Sequence, residues 1–164
     1  MVTRYDDSGR AIYQSYPLRE ASSYDAPIKG THTTYDALDR LIRTQMPTGG
    51  VHTLVRDGAG RVIEEQDAIG RVMQYIRDTV GRITSRLHPG GQSWQFGWGA
   101  CDLLSTIDAS GTLTSYQYDS MHRRIQAATP GVTHTYAYDT ASRLVTARTS
   151  YPPNPDIEYN YGYD

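Results

Sequence analysis

The sequence predicts an all-β protein, an array of antiparallel β-hairpins made from tandem repeats, and three observations carry that prediction. First, a short pattern returns at a nearly fixed interval. Tyr116, Tyr118, Asp119 and Arg123 are followed 20 residues later by Tyr136, Tyr138, Asp139 and Arg143, and Phe96, Trp98 and Gly99 stand 20 residues upstream. Self-similarity at a fixed period marks a repeat protein whose unit is one supersecondary element. Second, Tyr, Trp, Thr and Val alternate with period 2, as half-buried strands do. The rings of Trp94, Phe96 and Trp98 therefore share one face, as do Tyr116 with Tyr118 and Tyr136 with Tyr138. Third, Asp-x-x-Gly followed by Arg has the chemistry of a tight turn. The Asp carboxylate accepts bonds from N–H groups two residues on, and Gly takes positive φ without steric cost.

Taken in order, residues 1–30 read as a degenerate first repeat and a loop. Tyr5 to Ile12 match the turn, whereas Ser15 to Gly30 is rich in Pro, Ser and charge, with Tyr24-Asp25 as a decayed unit. Residues 31–150 form the hairpin array. Asp36 leads its first turn, with Asp39 in the Gly position, and Met46-Pro47-Thr48-Gly49-Gly50 reads as a second type of turn. Asp57, Asp67 and Asp78 then come 10 and 11 residues apart, so one full period holds two turns and two strands. Behind them stand Gly60 and Arg61, Gly70 and Arg71, Gly81 and Arg82. Other turns fall at His88 to Gly91, Asp108 to Gly111 and Thr129 to Gly131, and Asp119 and Asp139 lead the last two of the Asp series. Residues 151–164 read as a Pro-rich linker, Tyr151 to Pro155, and the start of a further, truncated repeat with Tyr159, Tyr161 and Tyr163 on one face. An array halted there has an unpaired edge, which points to a fragment or to completion by another chain.

Composition agrees with an array. Of 164 residues only 38% are hydrophobic, and 14 are Tyr against one Phe and two Trp. Amphipathic rings cover a sheet but fill a thick aliphatic core poorly, and a one-dimensional array, in which each unit packs on its neighbours, needs no such core. Rings of successive hairpins are expected side by side as cross-strand pairs. Net charge is -2, and Lys29 is the only lysine beside the arginines. Arg10, Arg40, Arg61, Arg71, Arg82 and Arg143 occupy the turn exit, where they suit bidentate pairing with Asp or stacking on Tyr. A nucleic-acid surface would leave an excess of positive charge, which is lacking. Cys101 is the only cysteine, so an internal disulfide and a zinc thiolate cluster are excluded. No apolar run has signal-peptide or membrane-span length.

Chemical sites are weighed against that scaffold. His32, His52, His88, His122 and His134 show no metal-ligand spacing. Paired carboxylates can hydrolyse glycosides, but here the Asp residues are accounted for by turn chemistry. No Ser elbow or phosphate loop appears. The expectation is therefore no catalytic, cofactor-binding or metal-binding residue, with a structural role at the turns for Asp36, Asp57, Asp67, Asp78, Asp119 and Asp139 and the Gly and Arg behind them. The aromatic ladder has a sharper alternative. Trp94, Trp98, Tyr116, Tyr118, Tyr136 and Tyr138 could form a platform on which sugar rings stack, in place of holding neighbouring hairpins together.

The Tyr-Asp-x-x-Gly-Arg unit, repeated across nearly all of the chain with Pro-x-Gly turns between, resembles the YD repeat of Rhs proteins. The same repeat occurs in the shells of insecticidal toxin complexes and in teneurins. The resemblance implies a curved, spiralling sheet, part of a hollow shell that encloses a toxin or other passenger. It also implies delivery by contact or type VI secretion to competing cells, so the chain would reside in the bacterial cytoplasm before leaving by a non-Sec route, or at the cell surface. Its expected partners are the rest of the shell or a second copy at open sheet edges, and the enclosed polypeptide. The family's PAAR-like tip and Asp-Pro self-cleavage motif have no match, since Pro155-Asp156 runs in the reverse order. By resemblance the chain is wall material, too short to close a shell alone.

Overall fold

Alternating Tyr, Thr and Val with Gly-punctuated turns should yield short strands, and the computed structural model, which describes residues 2–15 and 30–164, contains strands without helices. The decayed unit expected at Tyr24 and Asp25 lies outside the described residues. The strands are β1 (Thr3–Tyr5), β2 (Ala11–Ser15), β3 (Gly30–Tyr35), β4 (Leu41–Gln45), β5 (Val51–Arg56), β6 (Val62–Gln66) and β7 (Val72–Arg77). They continue as β8 (Ile83–Leu87), β9 (Ser93–Trp98), β10 (Leu103–Ile107), β11 (Leu113–Tyr118) and β12 (Arg124–Thr129), then β13 (Val132–Tyr138), β14 (Leu144–Ser150) and β15 (Ile157–Asn160). Strand order is sequence order throughout, the arrangement that hairpin connections impose.

Two compact units divide the chain, Met1–Tyr75 with His88–Gly90 and Ile76–Leu87 with Gly91–Asp164. In the first, each strand lies antiparallel to its sequence neighbour, as where Leu54 pairs with Glu65 and Glu65 with Met73. In the second, Tyr116 pairs with Ala127 and Tyr136 with Ala147. Register slips by one residue just before the Asp of several turns, between Thr34 and Tyr35, Val55 and Arg56, Gln117 and Tyr118, and Ala137 and Tyr138. Such bulges turn the end of a strand and re-aim its last side chain. Among the described residues Ala127, 9% exposed, is the only buried hydrophobic one. Stability therefore comes from strand-to-strand contacts of half-buried side chains, as in other linear arrays.

Two expectations are corrected. Rings of successive hairpins do not sit side by side, because a return strand lies between them: Phe96 faces Thr106, Tyr116 faces Ala127 and Tyr136 faces Ala147. And Met46 to Gly50 is not a second type of turn. Its N–H of Met46 donates to the Gly50 carbonyl at 2.8 Å and its Gly49 N–H to the Met46 carbonyl at 2.9 Å, the same two bonds that close Asp67 to Arg71 at 2.9 Å each. Among the turns that do differ are the two-residue Pro130-Gly131, across which Thr129 pairs with Val132, and Gly99 to Asp102. The latter closes with Gly99 N–H on the Asp102 carbonyl at 2.8 Å, and Trp98 pairs directly with Leu103, so this loop is one residue shorter and has no exit arginine.

Candidate functional site

The chemistry of the molecule is concentrated where Asp-led turns meet the next hairpin. Within one turn, Asp119 shows the arrangement. Its Oδ1 accepts from the Met121 N–H at 2.9 Å and the Arg123 N–H at 3.0 Å, and its Oδ2 accepts from Arg123 Nε at 2.7 Å. The carboxylate thus satisfies N–H groups that the bend leaves without ladder partners, and it holds the exit arginine in place. Asp36, Asp57, Asp67, Asp78 and Asp139 make the same three bonds with Arg40, Arg61, Arg71, Arg82 and Arg143 and the intervening residue. Gly70 sits at φ 86°, a backbone region closed to most side chains, while His122 and Ser142 hold the equivalent position at φ 59° and 63°.

These bonds set the electrostatics. The carboxyl of Asp67 is held below the ordinary carboxylate range, first by the Arg71 guanidinium and then by the Arg71 N–H; for Asp36 and Asp139 the backbone N–H of Arg40 and Arg143 leads. At Asp57, Asp78 and Asp119 desolvation is the largest single influence and pushes upward, but the N–H and guanidinium bonds together outweigh it and the carboxyl is again lowered. All these turn carboxylates are charged at neutral pH and committed to arginine, so none is a free general acid or base.

The residue before each turn ties one hairpin to the preceding one. Tyr118 OH donates to the Leu103 carbonyl at 3.0 Å, Tyr138 OH to Arg124 at 2.9 Å and Tyr163 OH to Leu144 at 2.7 Å. Tyr35 OH reaches Ala11 at 3.2 Å, and Trp98 Nε1 reaches Ile83 at 2.8 Å. In each case the acceptor is the first residue of the adjacent return strand, the second strand of the preceding hairpin. Arg56 occupies the same place without a ring, and its Nη2 donates to the Leu41 carbonyl at 3.3 Å.

The exit arginine completes the tie from the other side. Arg123 lies 4.9 Å from the Tyr138 ring centroid, and its Nη1 donates to the Asp139 carbonyl at 3.1 Å and to Ser142 Oγ at 3.2 Å. Arg10 lies 5.0 Å over Tyr35, Arg82 5.3 Å over Trp98 and Arg143 4.6 Å over Tyr163. One guanidinium therefore serves its own Asp and the aromatic ring of the following turn at once.

The proposed sugar platform is already occupied. Trp94 has Arg86 at 5.9 Å, Tyr116 and Tyr136 share Arg124 at 5.8 and 5.3 Å, and Trp98, Tyr118 and Tyr138 are engaged as described. A sugar stacked on Trp94, Trp98, Tyr116, Tyr136 or Tyr138 would have to displace an arginine, and Tyr118 is tied through its hydroxyl, so the geometry favours rings that hold the hairpins together. Within the first unit, Glu65, Asp67, Arg71, Met73, His88 and Pro89 line a groove of about 390 Å³. Its carboxylates are spoken for: Glu65 pairs with His52 Nε2 at 2.9 Å and Tyr75 OH at 3.3 Å, and Asp67 pairs with Arg71. Among the described residues no group of three or more His, Cys, Asp or Glu is placed to hold a metal ion, and no helix is long and apolar enough to cross a membrane.

Sequence reasoning singled out Asp, Gly and Arg because their bonds span four residues. It missed the donor role of the residue before Asp. That role leaves a trace: Tyr35, Arg56, Arg77, Trp98, Tyr118, Tyr138 and Tyr163 recur 20, 21 or 25 residues apart and all carry a terminal N–H or O–H.

Comparison with known proteins places this geometry. Residues 102–131 match the family model described as RHS Repeat, and no curated protein sequence matches the chain. The Tc holotoxin pore of Photorhabdus luminescens superposes on 97% of the chain with TM-score 0.71 at 16% identity. A TcdB2-TccC3-Cdc42 crystal structure covers 94% with TM-score 0.56 at 17% identity. TcdB2-TccC3 without its hypervariable C-terminal region covers 94% with TM-score 0.55, also at 17% identity. At these identities the likeness is one of fold. The chain spans 9% of the first of those chains and 10% of the other two.

Proposed function

From the premise that the chain carries the RHS repeat and shares its fold with Tc toxin chains, we infer that it is a non-catalytic segment of a repeat-built wall that encloses a toxin or other passenger. The observation that carries this reading is the tie between hairpins. A tyrosine from one hairpin closes on the backbone of the one before, and an arginine from that one closes on the tyrosine, so the sheet is a continuous barrier with side chains engaged in holding it shut. The turn aspartates Asp36, Asp57, Asp67, Asp78, Asp119 and Asp139, with Gly60, Gly70, Gly81 and the exit arginines, act by keeping hairpins in register. The wall works passively: it separates a passenger from water and proteases, and it needs neither cofactor nor metal. Its partners are the remainder of the wall and the passenger. Delivery by a non-Sec route of type VI kind to competing cells rests on the resemblance of the repeat.

Protease protection of the native assembly tests the reading. A passenger polypeptide in that assembly should survive digestion until denaturant opens the sheet. A passenger cut equally fast before and after opening, or an assembly holding none, would overturn it. A glycan array should stay blank, because five of the six candidate rings already lie against an arginine.

A further inference from the structure

Where one hairpin follows another, the exit residue of a turn reaches the fourth residue of the next turn. Arg123 donates to Ser142 Oγ at 3.2 Å, and Ser142 holds the left-handed fourth place of its turn. In the first unit Arg10 pairs with Asp39, which holds that place in the same conformation. Both exit residues are arginines, whose charge does not change at any pH at which proteins work.

At one boundary the polarity is reversed. The turn Gly99 to Asp102 ends on an acid, and the fourth residue of the following turn is His122, at φ 59°. His122 Nδ1 stands 2.8 Å from Asp102 Oδ2. This exchange has two consequences. Tyr118, which enters the Asp119 turn, receives no arginine from the turn before it and is held through its hydroxyl, on the Leu103 carbonyl at 3.0 Å. The cation of the contact is now an imidazole, the kind of side chain that gains or loses its charge between about pH 5 and 8. The His122 side chain is 62% exposed, so its proton is exchanged directly with solvent.

The other charged and titratable groups on these turns are placed elsewhere. Within its own turn Asp119 accepts from Arg123 Nε at 2.7 Å, and in the turn that follows Asp139 accepts from Arg143 Nε at 2.7 Å. Arg82, from the turn before, donates through Nη1 to the Gly99 and Ala100 carbonyls at 2.9 and 3.1 Å. Arg124 lies over Tyr116 and Tyr136, and burial pushes the Tyr118 hydroxyl up, further from neutrality. Cys101, next to Asp102 in the chain, is exposed.

We propose that Asp102 and His122 form a pH-operated latch between the hairpin β9–β10 and the hairpin β11–β12. With the imidazole protonated the contact is a charge-assisted hydrogen bond, roughly twice as strong as the neutral bond that remains when the proton leaves. Mild acid therefore closes the latch, and its contribution is lost as pH rises through the imidazole range. The arginine ties keep their charge over that range, so the sheet has one line at which it opens more readily in neutral and alkaline solution. A single exposed pair is small beside the turn carboxylates, so the effect belongs to this boundary and not to the urea midpoint of the whole chain. The latch goes beyond the wall reading and needs no passenger, so either can fail without the other.

Hydrogen exchange of the full chain tests it, read at the amides that join β10 to β11 around Ser105 and Ser115, which pair across these strands. Protection factors, from which the intrinsic pH dependence of exchange is already removed, should be about two- to threefold higher at about pH 5.5 than at about pH 8. Asp102→Asn leaves His122 a neutral acceptor and should hold these amides at the lower, alkaline value at either pH. Asp102→Arg with His122→Ser transplants the Arg123–Ser142 contact and should hold them at the higher value or above at either pH, with unchanged circular dichroism. Equal protection at both pH values in the wild-type chain would overturn the latch, as would higher protection at the alkaline end. A pH dependence that survives in Asp102→Asn would overturn it as well, by assigning the effect to another group.

Discussion

The hairpin β11–β12 and the hairpin β5–β6 use the same Asp-led turn and differ in the residue before it. In β11–β12, Tyr118 closes on the Leu103 carbonyl at 3.0 Å. In β5–β6, Arg56 closes on Leu41 at 3.3 Å and also caps the Gly60 carbonyl at 3.1 Å. The position therefore requires a donor long enough to reach the first carbonyl of the neighbouring return strand, and an aromatic ring is one way to supply it. What the ring adds is a surface for the arginine of the preceding turn. Arg10, Arg82, Arg123 and Arg143 have such a ring beneath them, whereas Arg40, facing the Arg56 hairpin, sets its Nη1 against Gly60, where an added Cβ would clash. Tyr118 follows the Gly99 to Asp102 turn, which has no exit arginine, so the two roles that the Tyr-Asp motif joins come apart: a hydrogen bond made with a ring or without one, and a stacking contact made only where the preceding turn supplies an arginine.

Acid should act on both hairpins alike and gives the largest effect, because eight Asp-led turns titrate together among the described residues. Their carboxyls lie below the ordinary value of 3.8 in the folded chain. A depressed folded value means that the stabilisation is fully present above the unfolded value and is lost as pH falls through the folded one. The urea midpoint should stay flat from neutrality to about pH 5 and fall steeply in more acid solution. A flat midpoint down to the acid limit would mean that the turn carboxylates do not stabilise the fold.

The hairpins should diverge under side-chain removal. Tyr138→Ala strips both ring and donor and should cost about 2 to 3 kcal/mol in urea unfolding, whereas Arg56→Ala loses two part-exposed hydrogen bonds but no ring and should cost about 1 kcal/mol. Equal losses would dissolve the distinction. Arg56→Tyr sharpens it from the other side, with a change within about 0.5 kcal/mol if a donor suffices at that place.

The smaller contrasts lie inside the turns. Gly70→Val forces a β-branched side chain to φ 86° and should cost on the order of 1 kcal/mol or more. Ser142→Gly relieves a strained φ of 63° at the loss of one exposed bond from Arg123, and should raise the melting temperature by a degree or two, corresponding to on the order of 0.3 kcal/mol. An unchanged melting temperature in both would deny the left-handed position its role.

The turns were legible in the sequence because their chemistry is local. Asp119, the three bonds it accepts and Arg123 all fall within five residues, and each contact follows from side-chain length and backbone geometry. The tie was not legible, because Tyr138 and Arg124 meet only once β12, β13 and the bulge between Ala137 and Tyr138 fix the register. The ring pairing expected from alternation failed for the same kind of reason: period 2 gives the face of a strand but not which strands are neighbours. Met46 to Gly50 went unread as the same turn because the backbone bonds persist where the carboxylate does not. The sugar platform was drawn from residue type, and the arginines that cover it come from other strands. Arg124, which lies over both Tyr116 and Tyr136, belongs to the strand between them.

The central claim, that an arginine of one turn and the tyrosine of the next act as a unit, is tested most directly by a double-mutant cycle between Arg123 and Tyr138 in urea. The pair lies 4.9 Å apart, and Arg123→Met with Tyr138→Leu removes the cation and the ring separately and together. The account predicts a coupling of about 0.5 to 1 kcal/mol in favour of the intact pair. Strict additivity of the two substitutions would contradict it.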